Sequence, residues 1–411
     1  MIKKLIVVLL TLLAGIEADG KNAIYDANVK TLQVVVNQDW LSSPPVMRLG
    51  TDDVLNIGFD ELSHTYHRYV YKLEHCEADW SASESLFESD WLEGFNGNPI
   101  EDYENSLNTT VLYTHYRLQI PNDHCRLKMS GNYRLHVYDE DEEEVLCAEF
   151  MVAEALMNIG LSVTTNTDID FNMSHQQVSM TVNYGNAIHL TNEKEQLWTV
   201  VMQNGREDNA KVNVKPDYRQ PGQLRWDHNR GLIFDAGNEY HKFEVLDVSH
   251  PTMGIDRMEW DGHYYQAYPF VNTPRRSYLY DQDANGAFYI RNSDNIENDR
   301  TCDYVYVNYQ LSPAEPHDGD VIIEGCWTTE SDDHYLMTYD EEEKSYHAKV
   351  LQKQGYYSYQ YLLRDTAGKT HVMPEEGSFF ETENKYQALV YYKGSTERTW
   401  RLAGYQQIVI R

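Results

Sequence analysis

Apolar and polar residues alternate repeatedly along this chain, and no segment carries an apolar repeat of helical period for more than two turns. In 66–75 (YHRYVYKLEH), Tyr69, Tyr71 and Leu73 point one way while Arg68, Val70 and Lys72 point the other. Segment 131–138 (GNYRLHVY) repeats this, with Tyr133, Leu135 and Val137 turned inward. After an acidic tip at 139–144 (DEDEEE), Leu146, Ala148, Phe150 and Val152 do so again, which predicts a hairpin. The acid run 340–343 reads as a second solvated tip. Period two places alternate side chains on opposite faces of a strand, so the fold class is all-β. The composition agrees: 32 Tyr stand against 11 Phe, and Tyr favours half-buried strands.

At 411 residues the chain exceeds one ordinary domain. Further strands at 32–36, 54–59 and 112–120 make 24–153 a β-sandwich of immunoglobulin or fibronectin type III style. Its segment 83–105 is longer than a hairpin loop, and long loops are common places for function. A second β domain is expected over 154–298, with strands at 177–183, 197–203 and 211–215. Within it, 231–243 carries a Gly-Asn turn, and the polar run 291–300 reads as a linker. The last region, 299–411, runs strand, turn, strand, Gly-Cys-Trp turn and aromatic strand. That pattern is similar to early-set sandwiches, which include glycogen-binding modules.

Residues 1–20 read as a signal peptide: Lys3 and Lys4 precede a nine-residue apolar core, 5–13, and small residues Ala18 and Gly20 precede Lys21. No Cys stands near this cleavage site to carry a lipid, and no later stretch reaches 18 apolar residues. An exported product is expected. A formal net charge of −31 repels a phosphate backbone and excludes nucleic acid as a partner. The five cysteines form no CxxC. Export permits disulfides, and Cys302 would face Cys326 if their strands paired antiparallel; matching faces leave the Cβ distance open.

Candidate chemistry is sparse. Glu77, Asp79, Asp90 and Glu93 flank Trp80, Trp91 and Phe95, but no regular element sets a carboxylate separation. Asp281, Asp283, Asn285 and Gly286 match the first half of a calcium loop, yet Asn292 occupies the position of the bidentate Glu. An Asn-Gly type I′ turn joining strands at 278–280 and 287–290 accounts for the same residues. His64 and His67 lack a third ligand, and no nucleophile elbow, P-loop or dinucleotide fingerprint appears. The expectation is a protein that is not an enzyme, with no cofactor and no metal site.

In order along the chain come 69–80 (YVYKLEHCEADW), 91–95 (WLEGF), 100–103 (IEDY), 106–109 (SLNT), 113–116 (YTHY), 121–122 (PN) and 130–133 (SGNY). Segments 203–206 (QNGR) and 237–240 (GNEY) follow. Over about 25–300 this succession resembles the type IX secretion system plug proteins of Bacteroidota. The resemblance implies a periplasmic protein, peripheral to the outer membrane, that docks on the translocon barrel and closes its inner mouth. A contact surface needs aromatic anchors, and Phe87, Trp91 and Phe95 in the long loop are the candidate partner-binding residues. If Phe87 and Trp91 are instead buried, they complete the first sandwich's core. The alternative function is a glycan-binding accessory protein of the cell envelope.

Overall fold

The computed structural model describes residues 21–185, 188, 190–313 and 315–410. The expected signal peptide, 1–20, lies outside the described residues. Nearly all of the regular secondary structure in the described residues is strand, as the alternation predicts. No helix among the described residues is long and apolar enough to cross a membrane.

The first region packs two sheets face to face. In one, Leu55–Glu61 lies between Val29–Val36 and Thr114–Ile120. In the other, Gly131–Tyr138 lies between Val70–Cys76 and Glu144–Ala153. The inward residues of the predicted hairpin, Tyr133, Leu135, Val137, Leu146, Ala148 and Phe150, are buried in one core with Ile57, Phe59 and Tyr116. Phe59 stacks on Tyr116 at 5.2 Å and meets Tyr69 edge-on at 5.4 Å. Burying each such ring contributes on the order of 2–3 kcal/mol. This core draws only on residues between 24 and 152.

The rest of the chain does not divide at 298/299 as expected. Leu197–Gln203 pairs with Asn384–Tyr392, nearly two hundred residues later, and that strand continues to Arg401–Ile410. His241–Val245 and Phe288–Ile290 both pair with Gly355–Arg364, and Tyr265–Pro269 runs parallel to Tyr304–Leu311. Middle and last regions therefore exchange strands. The reason lies in Asn384–Tyr392, which is buried on both faces. Tyr386, Ala388 and Val390 join the middle core with Val178, Trp226 and Phe234. Leu389 and Tyr391 face the other way, onto Ala78, Met151 and Leu402. A two-stranded hairpin alone is marginal; sandwiched between two cores, it holds the regions together.

Other expectations change for similar reasons. The run 291–300 is not a free linker: the Tyr113 hydroxyl donates to the carbonyls of Asp299 (3.1 Å) and Cys302 (2.7 Å). Asn285 and Gly286 do form a turn with positive φ at both positions, closed by Ala287 N–H to the Ala284 carbonyl at 3.0 Å. No hairpin follows, because 278–280 is not a strand and Phe288–Ile290 is taken by Gly355–Tyr357. All five cysteines are free. Tyr304–Leu311 pairs with Ser345–Lys353 while Asp320–Glu324 pairs with Gly355–Arg364, so the strands beside Cys302 and Cys326 do not pair with each other as expected.

Candidate functional site

The long loop after Val70–Cys76 is pinned at several points. Ser83 Oγ bonds His75 Nδ1 (2.8 Å) and Thr399 Oγ1 (3.1 Å). Glu88–Trp91 makes one helical turn, capped by Asp90 Oδ2 accepting from the Phe87 amide at 2.9 Å. That amide, with the Arg398 guanidinium at 2.6 Å, holds the Asp90 carboxyl below its usual range. Leu92–Gly94 then pairs with Cys125–Leu127. Gly94 is required there: its φ is +110°, and a Cβ would stand 1.9 Å from the His124 carbonyl oxygen. Asn96 Nδ2 donates to Glu88 Oε2 at 3.0 Å and ties the two ends of the segment.

This scaffold separates the three predicted anchors. Trp91 is only 6 % exposed, edge-on to Tyr133 at 5.8 Å and beside His75 at 6.3 Å. It is a core residue, not part of an open surface, because the helical turn points its ring back into the sandwich. Phe87 and Phe95 are 73 % and 58 % exposed and lie on either side of it in the chain. Three of the four carboxylates around them serve other partners. Asp90 binds Arg398, Glu77 accepts from the Trp400 amide (3.0 Å), and Asp79 accepts from Ser81 (2.6 Å). His67 binds Glu61 (2.5 Å) and His64 the Ser106 carbonyl (3.0 Å), so these histidines serve separate partners.

Two features went unread in the sequence. A buried polar network joins the first region to the last. Asp60 Oδ2 accepts from Lys353 Nζ and from the Tyr304 hydroxyl, both at 2.6 Å, while Oδ1 meets His115 Nδ1 at 2.6 Å. Burial opposes ionisation of Asp60, but Lys353 and His115 outweigh it and hold the carboxyl below its usual range. Lys353 also lies 4.1 Å over the Tyr113 ring. Asp60 carried no sequence signal, because alternation puts it on the face opposite Leu55, Ile57 and Phe59, where an acid reads as solvated. The second feature is a cleft of about 760 Å³ on the outer face of the first sheet, lined by Gln33, Trp40, Asn56, His115, Arg117 and Gln119. Trp40 is braced there by Tyr289 (5.4 Å) and Tyr356 (5.8 Å).

No curated protein matches the chain. A solved structure, a hypothetical protein from Parabacteroides merdae ATCC 43184, is 38 % identical with a TM-score of 0.90, over 95 % of this chain and 99 % of that one. A Pseudomonas fluorescens alkylpurine DNA glycosylase, AlkC bound to DNA containing an abasic site analog, aligns over 31 % of this chain and 30 % of that one. At 15 % identity and a TM-score of 0.16, that alignment carries no argument. The family model for the type 9 secretion system plug protein 1st domain matches residues 29–154, the region whose core closes on itself. Residues 29–154 are thus a first domain of the type 9 secretion system plug protein kind, which supports a role for the chain related to type IX secretion.

Proposed function

We propose that this protein acts without catalysis in the periplasm, docking on an outer-membrane type IX translocon barrel and closing it between cargoes. The observation that carries the reading is the plug-family first domain presenting two exposed rings, Phe87 and Phe95, on a segment held rigid by Arg398, Asn96 and the 92–94 strand. Pre-ordered aromatic anchors lose little entropy on binding and supply the area that hot spots use. The acidic surface, at −31 overall, favours a basic rim on the partner. Affinity purification from native membranes should recover a translocon barrel, and the double variant Phe87→Ala, Phe95→Ala should lose it while folding normally. Deleting the gene should leave the pore leaky to molecules normally excluded. Unchanged recovery by the double variant moves the contact surface elsewhere; an intact barrier in the deletion strain removes the plugging role.

A second reading rests on the 760 Å³ cleft. Amide side chains of Gln33, Asn56 and Gln119 beside the braced Trp40 ring are the donor, acceptor and stacking groups that a glycan engages. Tight binding to one member of a polysaccharide panel, lost in Trp40→Ala, would favour that reading.

A further inference from the structure

The second sheet of the first region turns its outer face away from the core, and three potential metal ligands converge on it. His136 and Cys147 are direct partners across the antiparallel pair Gly131–Tyr138 and Glu144–Ala153. Direct partners hold their Cβ atoms within about 5 Å. Glu144 stands three residues before Cys147, which in a regular strand would put it on the opposite face. The ladder shifts register between Val137 and Tyr138, leaving Val145 as an extra residue in a bulge. Val145 and Leu146 then both enter the core, and Glu144 turns to the side of His136 and Cys147. Bulges that re-aim one side chain recur beside functional sites.

The result is a compact donor set. One ligand atom from each of His136, Glu144 and Cys147 lies within 4.8 Å of the other two. The imidazole uses both nitrogens: Nδ1 meets Glu144 Oε1 at 2.7 Å, and Nε2 lies 3.7 Å from Glu74 Oε2 on the neighbouring strand. Two cations of the same ladders are engaged elsewhere, Lys72 over the Tyr138 ring at 4.6 Å and Arg134 on Glu149 at 2.8 Å.

We infer that His136, Glu144 and Cys147 form a zinc site on the outer face of this sheet. Thiolate, imidazole and carboxylate together suit a borderline-soft divalent ion rather than calcium or magnesium. Ligand bonds of about 2.0–2.3 Å place tetrahedral donors roughly 3.3–3.8 Å apart, so the partly exposed Glu144 carboxylate, now 2.7 Å from Nδ1, has only to draw back slightly while the widest separation, at most 4.8 Å, shortens. With the ion on Nδ1, the Nε2 proton points at Glu74, the carboxylate–histidine–metal arrangement that orients the ring. Three protein ligands leave the fourth position to water. Binding exchanges the thiol proton and any imidazolium proton for the metal, with no change of oxidation state.

The inference is independent of the docking reading, and its test uses the full chain, reduced and stripped of metal by a chelator. Titration with zinc chloride should show one tight equivalent by calorimetry. Titration with cobalt chloride should give a near-ultraviolet thiolate charge-transfer band. Cys147→Ser should lose the band and Cys76→Ser keep it. Glu144→Gln, at a partly exposed position that leaves the fold intact, should weaken binding by more than the roughly 10- to 100-fold that loss of an outer-shell partner costs, as should His136→Ala. No stoichiometric binding by the parent chain overturns the inference. So does a thiolate band that survives Cys147→Ser, or affinity unchanged in both Glu144→Gln and His136→Ala.

Discussion

The first region and the remainder of the molecule solve the same problem differently. Residues 24–152 close a sandwich from strands of one contiguous segment. Residues 154–410 build their cores by exchange, with Leu197–Gln203 waiting for Asn384–Tyr392 and Gly355–Arg364 collecting strands from the middle region. Alternation is equally clear in both. A two-faced polar and apolar strand needs only one sheet to cover it, whereas a strand apolar on both faces needs two layers, and these layers come from distant parts of the chain. The first region is thus suited to be a unit shared by a family, and the remainder to be a brace that holds it.

If the brace matters, the sharpest break is at its buried charge. Lys353→Ala leaves Asp60, wholly buried, with only His115 and Tyr304 as partners. The expected loss is about 4 kcal/mol, measured by urea denaturation, with the single transition splitting into two. A loss below about 1 kcal/mol with one transition would show that the regions are coupled mainly through the Tyr391 and Leu402 contacts instead.

Within the first region the comparison narrows to neighbouring rings. Trp91→Ala should cost about 3 kcal/mol, because it opens a cavity against Tyr133 and His75. Phe87→Ala should change stability by no more than about 0.5 kcal/mol. Equal costs in thermal melts would mean that Phe87 also packs in solution.

The interleaved region should respond to pH through two acids of opposite sign. Burial, joined by the charge of Glu239, raises Asp283 from 3.8 to about 7 despite the Asn285 and Tyr240 amides. Its folded form holds a proton that the unfolded form has released, so its contribution is complete below about pH 4 and is lost as pH rises to about 7. Glu376 is lowered from 4.5 to about 2: burial opposes this, but His241 and Arg275 outweigh burial. Its contribution is complete above about pH 4.5 and is lost as pH falls towards 2. Asp283→Asn should therefore flatten the decline in melting temperature between pH 4 and 7. An identical decline in the variant would assign that slope to other groups.

The smallest expected effect is none. Calcium should not raise the melting temperature, because the Asp283 carboxylate is occupied by the Tyr240 and Asn285 amides and Asp281 is paired with Lys242 at 2.5 Å. A clear upward shift, removed by Asp281→Ala, would reopen the 281–286 segment as a cation loop.

What the sequence determined alone was local. Period two set the strand class and told which residues of 131–153 face the core, and Asn285-Gly286 specified a turn whose two positive φ angles few other pairs tolerate. The order of motifs in 69–133 pointed to the plug family, whose domain model then matched 29–154. Tertiary structure decided which strands meet, since alternation names a face but not a neighbour. The entropic cost of closing a loop grows only with the logarithm of its length, so pairing 197–203 with 384–392 costs roughly 3 kcal/mol more than a short hairpin, an amount that burial of 384–392 on both faces offsets. It also decided that Trp91 turns inward while Phe87 and Phe95 do not, through one helical turn fixed by Asp90 and Arg398. The grouping of His136, Glu144 and Cys147 came from a single-residue bulge. One inserted residue reverses a side chain's face, and only the partner strand's register reveals it.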